Sequence, residues 1–472
     1  MAEPRTSYHW TPDEFRRHGH EVVEWVARYM ETIEEHPVQS TVEPGWVRAQ
    51  LPASPPEAPE SFGEVLADLD RVVLPGISHW QHPGWYAYFP TGASGPSVLA
   101  DLVSSGLGVQ GMLWSTSPAC TELEIQMLDW MADLLGLPDR FRSGGDGGGV
   151  VQDSASGATL CALLAARWRV AGDGPFTRLC AYTSSQAHSS VEKAVRIAGL
   201  QPGQLRSIEV SAEEGFAMDA DRLAAAMAED RGAGLIPFFV VANVGTTSST
   251  AIDPVAAIAD VAAAEGAWLH VDAAHAGSAL VLPELRWMVE GLERADSFCM
   301  NPHKWLLTNF DCDCFWVADR ASLVGALSVL PEYLRNAASE SGAVVDYRDW
   351  QVPLGRRFRA LKLWFVLRSY GVEGLRHHVR EHIELAQELA ARIAAHPRLE
   401  LSAPHPINLV CFHHVDGDAA SEALMAAVNA SGRALLTHTR LAGRFTIRVA
   451  VGTQATRRRH VEELWDLVEA AA

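Results

Sequence analysis

The order of strands and helices in the middle of the chain is the feature that most constrains its fold. Short apolar segments at residues 179–183, 235–243 and 268–271 predict buried strands. Between the last two, Asp253 and Pro254 predict the start of a helix, with the carboxylate as its cap, and an alanine-rich stretch continues that helix. This β-α-β order predicts an α/β fold in which helices cover both faces of a mainly parallel sheet.

The N-terminal part of the chain has a different pattern. Apolar residues recur at three- and four-residue spacing between residues 12 and 35, which predicts an amphipathic helix, and Pro37 is predicted to end it. Residues 51–59 contain four prolines and are predicted to form an extended connector. An N-terminal arm is therefore expected ahead of the main body.

The C-terminal part is predicted to form a separate small domain. Helical patterns dominate from about residue 361, and short strands are predicted at residues 409–412 and 444–451. We therefore predict three parts, namely an N-terminal helical arm at 1–90, a large domain at 91–360 and a small α+β domain at 361–472.

The composition argues against several classes of partner and location. The 472 residues include 58 acidic and 38 basic side chains, a formal charge of −20, and no run of Lys and Arg that could follow a phosphate backbone, so nucleic acid is not an expected partner. The first ten residues lack the pattern of a secretory signal, and the longest apolar runs fall short of the roughly 20 residues that span a bilayer. We therefore predict a cytoplasmic protein without membrane contact.

Seven cysteines are scattered along the chain, and only Cys312 and Cys314 lie close together. Their spacing is not that of paired zinc ligands or of a disulfide framework. We predict reduced thiols in the protein core and no metal, with a metal or redox role for this pair as the less favoured alternative.

One lysine lies in an unusual setting. Lys304 stands between His303 and Trp305, just past a predicted strand. A lysine acts as a nucleophile only after losing its proton, and burial can lower its pKa enough to allow this near neutral pH. A lysine whose stem packs while its amine reaches water is the alternative, which Lys304 taken alone would favour.

A carboxylate at the end of a strand points to a partner for that lysine. Asp272 follows the predicted strand at 268–271, and ligands of parallel sheets bind at the carboxyl ends of the strands. A carboxylate there can pair with the protonated pyridine nitrogen of pyridoxal phosphate, whose ring then accepts electrons. A helix cap is the alternative role for this Asp.

Two further features fit the same cofactor. Three glycines at 147–149 and the polar stretch at 153–159 precede an apolar helix, and backbone N–H groups and hydroxyls at a helix start form an anion site suited to phosphate. His188 follows the strand predicted at 179–183, where its imidazole could stack on a cofactor ring. Helix capping and surface packing are the alternatives for these two features.

With these residues in place, the chain resembles the aromatic-L-amino-acid decarboxylases, a group of pyridoxal-phosphate enzymes that includes dopa and tryptophan decarboxylases. The resemblance runs from about Tyr8 to the C-terminus. It is carried by motifs at His79-Trp80-Gln81, Tyr88-Phe89-Pro90-Thr91, Ser117-Pro118-Ala119-Cys120-Thr121-Glu122-Leu123-Glu124, Gln186-Ala187-His188-Ser189-Ser190, Trp268-Leu269-His270-Val271-Asp272-Ala273-Ala274, Ala295-Asp296-Ser297-Phe298, Asn301-Pro302-His303-Lys304-Trp305-Leu306-Leu307, Asn309-Phe310-Asp311-Cys312 and Pro353-Leu354-Gly355-Arg356-Arg357-Phe358-Arg359.

The resemblance implies a fold, an assembly and a cofactor site. It implies fold type I, the aspartate-aminotransferase type with a seven-stranded sheet in the cofactor-binding large domain. It also implies an obligate homodimer with active sites at the interface, for which the N-terminal arm would be a dimerisation segment. The implied cofactor residues are Lys304 as the covalent attachment, Asp272 at the pyridine nitrogen, His188 stacked on the ring, Ala155, Ser156, Ser297, Asn301 and His303 around the phosphate, Thr247 and Ala274 against the ring, and Leu354 and Gly355 from the partner subunit.

The resemblance also implies an activity, the decarboxylation of aromatic L-amino acids to amines, with Tyr333 on a loop as the proton donor. The implied substrate pocket comprises Trp80, Tyr88, Thr91, Gln110, Met112, His188 and His303. Gly355 matches the glycine of indole-preferring plant members, which favours tryptophan. Gly157 departs from the family, which usually has Glu there, and Asp153 could supply the missing first-turn charge.

Two other functions stay open at this stage. An aldehyde synthase would release aldehyde and hydrogen peroxide, but such relatives tend to replace the loop tyrosine or the stacking histidine, and this chain has Tyr333 and His188. A non-catalytic binding protein on the same fold would lack the lysine, the aspartate or the histidine, and all three are present.

Overall fold

A computed structural model describes residues 8–329 and 344–472 of the chain, and the statements below concern these two segments. The α-helices are α1 (Pro12–Glu31), α2 (Trp46–Gln50), α3 (Phe62–Asp68), α4 (Leu74–Gly76), α5 (Gly95–Leu107), α6 (Pro118–Leu135), α7 (Ala155–Ala171), α8 (Ser190–Ile197), α9 (Ala220–Gly232), α10 (Val255–Glu265), α11 (Pro302–Trp305), α12 (Arg320–Leu327), α13 (Arg359–Ala395), α14 (Asp418–Ala430) and α15 (Arg458–Ala471).

The large sheet has seven strands, and it confirms the predicted mainly parallel α/β architecture. Its strands are β1 (Gly148–Gln152), β2 (Leu179–Ser184), β3 (Leu205–Ile208), β4 (Ile236–Asn243), β5 (Trp268–Asp272), β6 (Ser297–Met300) and β7 (Asp313–Val317). Their order across the sheet is β1-β7-β6-β5-β4-β2-β3. Only β7 runs against its neighbours, pairing antiparallel with both β6 and β1.

The central strands are apolar because both faces of the sheet are covered. Every residue of β2, β5, β6 and β7 is buried, and two apolar clusters lie on opposite sides of the sheet. The three strands predicted from apolar runs agree with the structure to within a residue at each end. Strands buried on both faces read as continuous apolar segments, which is why the prediction succeeded.

The helix after β4 begins as predicted but is not capped as predicted. Pro254 is the residue that precedes α10, and no side chain caps its first turn. Asp253 is buried, and its two carboxylate oxygens instead accept hydrogen bonds of 2.7 Å from the backbone N–H groups of Met218 and Asn243. The carboxylate therefore joins the end of β4 to the loop that contains Met218.

A second, antiparallel sheet follows in the C-terminal part, as expected for a small α+β unit. Its strands are β8 (Leu399–Leu401), β9 (Leu409–His414), β10 (Thr437–Leu441) and β11 (Arg444–Ala450), in the order β10-β11-β9-β8. These strands share an apolar core with α14, α15 and the C-terminal half of α13. The domain boundaries at residues 90 and 360 stay predictions.

The N-terminal arm is the amphipathic helix α1, which has a capping box between Thr11 and Glu14 and no buried residue. It ends at Glu31, before the predicted end at Glu35, and a separate 3-10 turn, Ile33–Glu35, follows it. No helix within 8–329 and 344–472 has the length and apolarity needed to cross a membrane. All seven cysteines are free and buried.

Candidate active site

A cavity of about 190 Å³ lies at the edge of the large sheet where β1, β4, β5 and β6 end and β7 begins. Nine of the predicted site residues line it, which confirms that these distant segments meet in space. The lining residues are Phe89, Ser154, Ala155, Ser156, His188, Ser190, Asn243, Gly245, Thr246, Thr247, Asp272, Ala274, His275, Asn301, His303 and Lys304.

Lys304 belongs to α11, the single turn that follows β6, and its amine is enclosed by the site. Its Nζ atom lies 5.4 Å from the centre of the Phe89 ring. Burial lowers the pKa of Lys304, and the charge of Asp272 acts in the opposite direction. The net lowering makes the neutral amine, the form that a nucleophilic lysine requires, easier to reach.

Asp272 is the last residue of β5 and is 8% exposed. Its Oδ1 atom accepts a hydrogen bond of 3.0 Å from the backbone N–H of Ala274 and lies 3.8 Å from Sγ of Cys299. Asn243 on β4 is its partner in the sheet register. The carboxylate is therefore held by backbone and neighbouring strands, and it faces the cavity.

Ser297 does not line the cavity, contrary to the predicted phosphate contact. It is fully buried within β6, where its Oγ atom accepts a hydrogen bond of 2.8 Å from Nε1 of Trp268 and lies 2.9 Å from Nδ1 of His270. Both contacts lie inside the sheet, beneath Asp272. We correct its role to that of a residue supporting β5.

His188 follows β2 and faces the cavity. Its Nδ1 atom accepts a hydrogen bond of 3.1 Å from the backbone N–H of Ser190, so the neutral ring carries its proton on Nε2. Loss of water contact lowers its pKa, and the charge of Lys304 lowers it further. A neutral, oriented imidazole is suited to stacking on an aromatic ring.

The start of α7 and the segment before Lys304 also line the cavity. Ser154 caps α7 by accepting a hydrogen bond of 3.2 Å from the Gly157 N–H. Ala155 and Ser156 form its first turn, where unpaired N–H groups favour an anion. The glycines predicted to contribute do not reach the cavity, because Gly148 and Gly149 lie inside β1.

Gly157 has a local explanation. A Cβ atom at this position would lie 2.6 Å from Oδ1 of Asp153. That carboxylate oxygen also accepts a hydrogen bond of 3.0 Å from the Ser154 hydroxyl. Glycine therefore leaves the space that the Asp153 side chain occupies next to the first turn of α7.

Asn301 and His303 also supply polar groups to the cavity. The amide oxygen of Asn301 is buried and has no hydrogen-bond partner among the described residues. The His303 ring accepts a hydrogen bond of 3.0 Å at Nδ1 from the Cys312 N–H, and burial lowers its pKa to about 3. Both side chains can therefore serve a bound ligand without carrying charge.

Sequence reasoning missed two residues that shape the floor of the cavity. Phe89 and His275 stack with their ring centres 3.8 Å apart, and Nε2 of His275 lies 2.8 Å from Oδ1 of Asn408 in the small sheet's domain. Phe89 lies within a motif that carries the family resemblance, and His275 follows another such motif, three residues after Asp272. Burial lowers the pKa of His275 to about 3.

A third missed residue is Arg448 on β11. It is buried, lies 5.3 Å from the Phe89 ring centre and donates to the carbonyl of Thr247 at 2.6 Å and that of Ser248 at 3.1 Å. It thereby fixes the loop that carries Thr247 past the cavity. No local sequence signal indicated this contact, which spans about 200 positions.

The predicted substrate residues Trp80, Tyr88 and Thr91 are not among the residues that line the cavity. Trp80 and Tyr88 stack with ring centres 5.7 Å apart, and they are 37% and 56% exposed. Tyr88 adjoins Phe89, and the backbone N–H of Gly92, next to Thr91, donates to the His303 carbonyl at 2.9 Å. This segment is therefore fixed to the wall of the site.

Four predicted site residues form a separate cluster outside the cavity. The Arg356 N–H donates to the Gln110 side-chain oxygen at 2.5 Å, and Gly355 lies against the same side chain. Met112 accepts a hydrogen bond of 3.0 Å from the Arg348 N–H, and Leu354 is 46% exposed. Tyr333, the predicted proton donor, lies outside the described residues.

The residues in the cavity fit pyridoxal phosphate. A partly buried lysine with a lowered pKa, a carboxylate at a strand end and neutral donors beside a helix start match the aldehyde, the pyridine nitrogen and the phosphate of that cofactor. Among the described residues, no group of three or more His, Cys, Asp or Glu side chains could hold a metal ion. Fold and site together define a pyridoxal-phosphate enzyme of fold type I.

Comparison with known proteins gives the family. Residues 44–415 match the pyridoxal-dependent decarboxylase conserved domain. The chain is 47% identical to phenylacetaldehyde synthase of Arabidopsis thaliana over 98% of this chain and 96% of that protein, and 45% identical to aromatic-L-amino-acid decarboxylase of Mus musculus over 96% of each. It superposes on a crystal structure of Oryza sativa TDC with PLP and tryptamine with a TM-score of 0.97, at 42% identity over 99% of both chains.

The chain therefore belongs to the pyridoxal-dependent decarboxylases and is a pyridoxal-phosphate-dependent carboxy-lyase. This result confirms the predicted fold type, cofactor and enzyme class. The relatives include an aromatic-L-amino-acid decarboxylase and a phenylacetaldehyde synthase.

Proposed function

We propose that this protein decarboxylates aromatic L-amino acids to the corresponding arylalkylamines and CO₂, with tryptophan as the favoured substrate. The observation that carries the proposal is the meeting of Lys304, Asp272 and His188 in one cavity, from three separate strand ends. An amine, a carboxylate and a flat neutral ring are the groups needed to hold and activate the cofactor.

When bound, pyridoxal phosphate supplies a ring that accepts the electron pair left at Cα when CO₂ departs. The Lys304 amine would hold the cofactor until substrate arrives, and Asp272 would keep the proton on the pyridine nitrogen. His188 would lie against one face of the ring, with Thr247 and Ala274 against the rest. The start of α7, Asn301 and His303 would hold the phosphate.

A proton must reach Cα after CO₂ departs, and water must be kept from the site meanwhile. Tyr333 is proposed as the donor, on the family resemblance alone. With this donor the product is an amine. Without a donor at that point, molecular oxygen could take the electron pair and be reduced to hydrogen peroxide, and water would then replace the amine nitrogen, which leaves as ammonia, to give an aldehyde.

The aromatic substrate is supported by an aromatic pair that includes Tyr88, the chain neighbour of the cavity residue Phe89. Trp80 and Tyr88 present stacked, partly exposed rings beside Phe89 and Thr91, and an aromatic substrate gains from such surfaces. The preference for tryptophan rests on Gly355 and on the likeness to Oryza sativa TDC with PLP and tryptamine. Because glycine has only a hydrogen atom as its side chain, Gly355 would leave room for an indole ring.

The cluster around Gln110 supports a homodimer with shared active sites. Gln110, Met112, Leu354 and Gly355 stay together in this chain but do not line its own cavity. We propose that they enter the cavity of a partner subunit as one unit. Helix α1 leaves Phe15, Val22 and other apolar side chains exposed, a surface that a partner would cover. Action in the cytoplasm stays a prediction from the sequence.

An aldehyde synthase is the second candidate, because the Arabidopsis thaliana relative at 47% identity is a phenylacetaldehyde synthase. The two candidates share the cofactor site and differ in what happens at Cα. Products therefore separate them, whereas cofactor binding does not.

The test is an assay on purified protein with tryptophan, dopa, tyrosine, 5-hydroxytryptophan and phenylalanine, measuring amine, CO₂, aldehyde and hydrogen peroxide together. We expect amine and CO₂ in equal amounts, most rapidly from tryptophan, with little peroxide. Aldehyde and peroxide as main products would establish the second candidate instead. No turnover of any aromatic substrate would overturn the proposal.

A further inference from the structure

A group of side chains on one face of the large sheet connects to Asp272 from below. Side chains alternate along a strand, so Trp268, His270 and Asp272 of β5 point to the same face. The parallel register pairs His270 with Ser297 and Asp272 with Cys299, both on β6. Trp268 and Cys299 pack in the apolar cluster that includes α7. Of this group, the proposed mechanism uses Asp272 alone.

Cys299 is the member of the group whose side chain contacts the Asp272 carboxylate. Its Sγ atom lies 3.8 Å from Oδ1 of Asp272, within the reach of a thiol donor, because sulfur forms longer hydrogen bonds than oxygen or nitrogen. Cys299 is fully buried and is not among the residues that line the cavity, so it acts on Asp272 and not on a ligand. Burial raises the pKa of Cys299 well above its usual range, which keeps the proton on sulfur.

The neighbours of His270 fix the position of its proton. Burial lowers the pKa of His270 to about 4, so the ring is neutral and carries a single N–H. Oγ of Ser297 accepts a hydrogen bond from Nε1 of Trp268, and its own hydrogen is directed to Nδ1 of His270, 2.9 Å away. The Thr159 hydroxyl donates to the Ala155 carbonyl, so towards Nε2, at 3.5 Å, it acts as an acceptor. The proton of His270 therefore lies on Nε2.

This proton orients the thiol of Cys299. Nε2 of His270 lies 3.7 Å from Sγ of Cys299, so its N–H is shared between this sulfur and the Thr159 hydroxyl. Because the sulfur accepts from His270, the S–H hydrogen is directed to its other polar neighbour, Oδ1 of Asp272. The hydrogen bonds thus continue in one direction from His270 to the carboxylate.

The two hydrogen bonds to Asp272 end on the same oxygen. Oδ1 accepts from the Ala274 N–H at 3.0 Å and from the Cys299 thiol, whereas no hydrogen bond to Oδ2 is present within residues 8–329 and 344–472. Two donors on one oxygen restrict rotation of the carboxylate and leave the other oxygen for a ligand. Since Asp272 lines the cavity, Oδ2 is the atom that can meet the pyridine nitrogen.

We propose that Cys299 is a positioning residue for the reaction: its thiol, oriented by His270, donates to Oδ1 of Asp272 and holds the carboxylate with Oδ2 towards the pyridine nitrogen of the cofactor. The inference rests on the proposed role of Asp272 and does not depend on which amino acid is the substrate. Cys299 lies between two of the motifs that carry the family resemblance and belongs to neither.

The experiment compares two substitutions that differ in the donor. Cys299→Val keeps the approximate size of the side chain and removes the donor, whereas Cys299→Ser keeps a donor. Cys314→Val is the matched control, because Cys314 is an equally buried thiol on β7 that packs in the other apolar cluster. Each full-length protein is measured for pyridoxal-phosphate affinity by tryptophan fluorescence, for kcat and KM with the aromatic substrate turned over fastest, and for the urea midpoint of the apoprotein.

We expect Cys299→Val to lower kcat roughly fivefold and to leave KM within about twofold, because a carboxylate that can rotate pairs less well with the protonated ring. Affinity for pyridoxal phosphate should fall roughly threefold. Cys299→Ser should stay within about twofold of the wild type in all three quantities, since its hydroxyl still donates. An unchanged kcat in Cys299→Val would overturn the proposal, and so would equal losses in the valine and serine variants.

Stability separates positioning from a purely structural role. Valine in an apolar cluster should keep or raise the urea midpoint of the apoprotein, whereas a buried serine hydroxyl should lower it. The expected order of stability is therefore opposite to the expected order of kcat and cofactor affinity. If kcat follows stability instead, the positioning role is wrong. Cys299→Ala, which also lacks the donor, replaces the valine variant if that variant does not fold.

Infrared spectroscopy of the apoprotein tests the hydrogen bond without cofactor or substrate. The difference between the spectra of the wild type and Cys299→Val isolates the S–H stretching band of Cys299. In an Asp272→Asn background this band should shift to higher frequency, because an amide oxygen is a weaker acceptor than a carboxylate. An unshifted band would contradict the contact and overturn the proposal.

Two further outcomes distinguish this inference from the functions on which it rests. Wild-type kcat in Asp272→Asn would reject the proposed role of Asp272 and with it the positioning role of Cys299. Absence of turnover with every aromatic substrate, together with the expected infrared shift and the expected loss of cofactor affinity in Cys299→Val, would support the positioning role and count against the proposed function alone.

Discussion

The Nδ1 atom of His303 accepts a hydrogen bond at 3.0 Å from the backbone N–H of Cys312. Because burial lowers the pKa of His303 to about 3, the ring is neutral at physiological pH, and its single proton must reside on Nε2. The backbone thereby presents a fixed N–H donor to the cavity, independent of pH above about 4.

We predict that His303→Leu weakens pyridoxal-phosphate binding or substrate binding roughly tenfold, because the donor is lost. His303→Gln keeps an N–H donor and should stay within about threefold of the wild type. Fluorescence titration measures the affinity for the cofactor, and KM for tryptophan reports substrate binding. If His303→Leu changes neither quantity, the donor role is wrong.

Lys304→Ala should abolish covalent cofactor attachment. We expect loss of the visible absorbance band and a fall in amine formation of roughly a thousandfold or more, since the nucleophile is gone. Lys193→Ala, which changes an exposed lysine on α8, is the matched control and should keep both band and activity. A normal band in the Lys304 variant would exclude this lysine as the attachment site.

Asp272→Asn should reduce kcat roughly a hundredfold or more, because a neutral amide no longer favours the protonated pyridine nitrogen. The shape of the side chain is retained, and the Ala274 N–H still finds an oxygen acceptor. Steady-state amine release at saturating substrate measures the effect. Wild-type turnover in this variant would contradict the proposed electron sink.

Tyr333→Phe should retain the cofactor band but lose amine formation by roughly a hundredfold or more, the range for removal of a general acid. Aldehyde and hydrogen peroxide should rise as a share of the products, because Cα is no longer protonated promptly. The measurement is the ratio of amine to peroxide per CO₂ released. An unchanged ratio would remove Tyr333 from the mechanism.

The stability of the apoprotein should fall as pH decreases from 6.5 towards 4. Burial lowers the pKa of His270 to about 4 and the pKa values of His275 and His303 to about 3, so below pH 6.5 the unfolded chain binds protons that the folded chain does not. Each group contributes about 1.4 kcal/mol per pH unit in that window. Asp253, with its pKa raised to about 6, acts in the opposite direction.

Urea midpoints of the apoprotein at pH 7, 6 and 5 measure this dependence. His275→Gln is the control, because glutamine can keep the bond to Asn408 while one of the three titrating rings is removed. The urea midpoint of His275→Gln should fall less steeply than that of the wild type as the pH decreases. A midpoint that is constant or rises towards pH 5 would contradict the prediction.

Much of the architecture was predictable because each strand that carries a site residue is buried on both faces. Such strands read as short apolar runs, and the polar residue after each run marks the sheet edge, which placed Asp272, His188 and Lys304 together. The predicted roles of Ser297 and Asp253 were wrong because each depended on packing within the folded protein. Whether Ser297 faced the cavity or the sheet interior depended on strand alternation, and the partner of Asp253 depended on loops that pack from elsewhere.

The sequence by itself determined the α/β fold, the lysine, the aspartate and the cofactor class, because apolar periodicity and local motifs encode them within a few residues. Only the tertiary structure decided which distant groups complete the site. Arg448 reaches the Thr247 carbonyl from another sheet, and His275 stacks on Phe89. Such contacts depend on how sheets and loops pack, which no local pattern records.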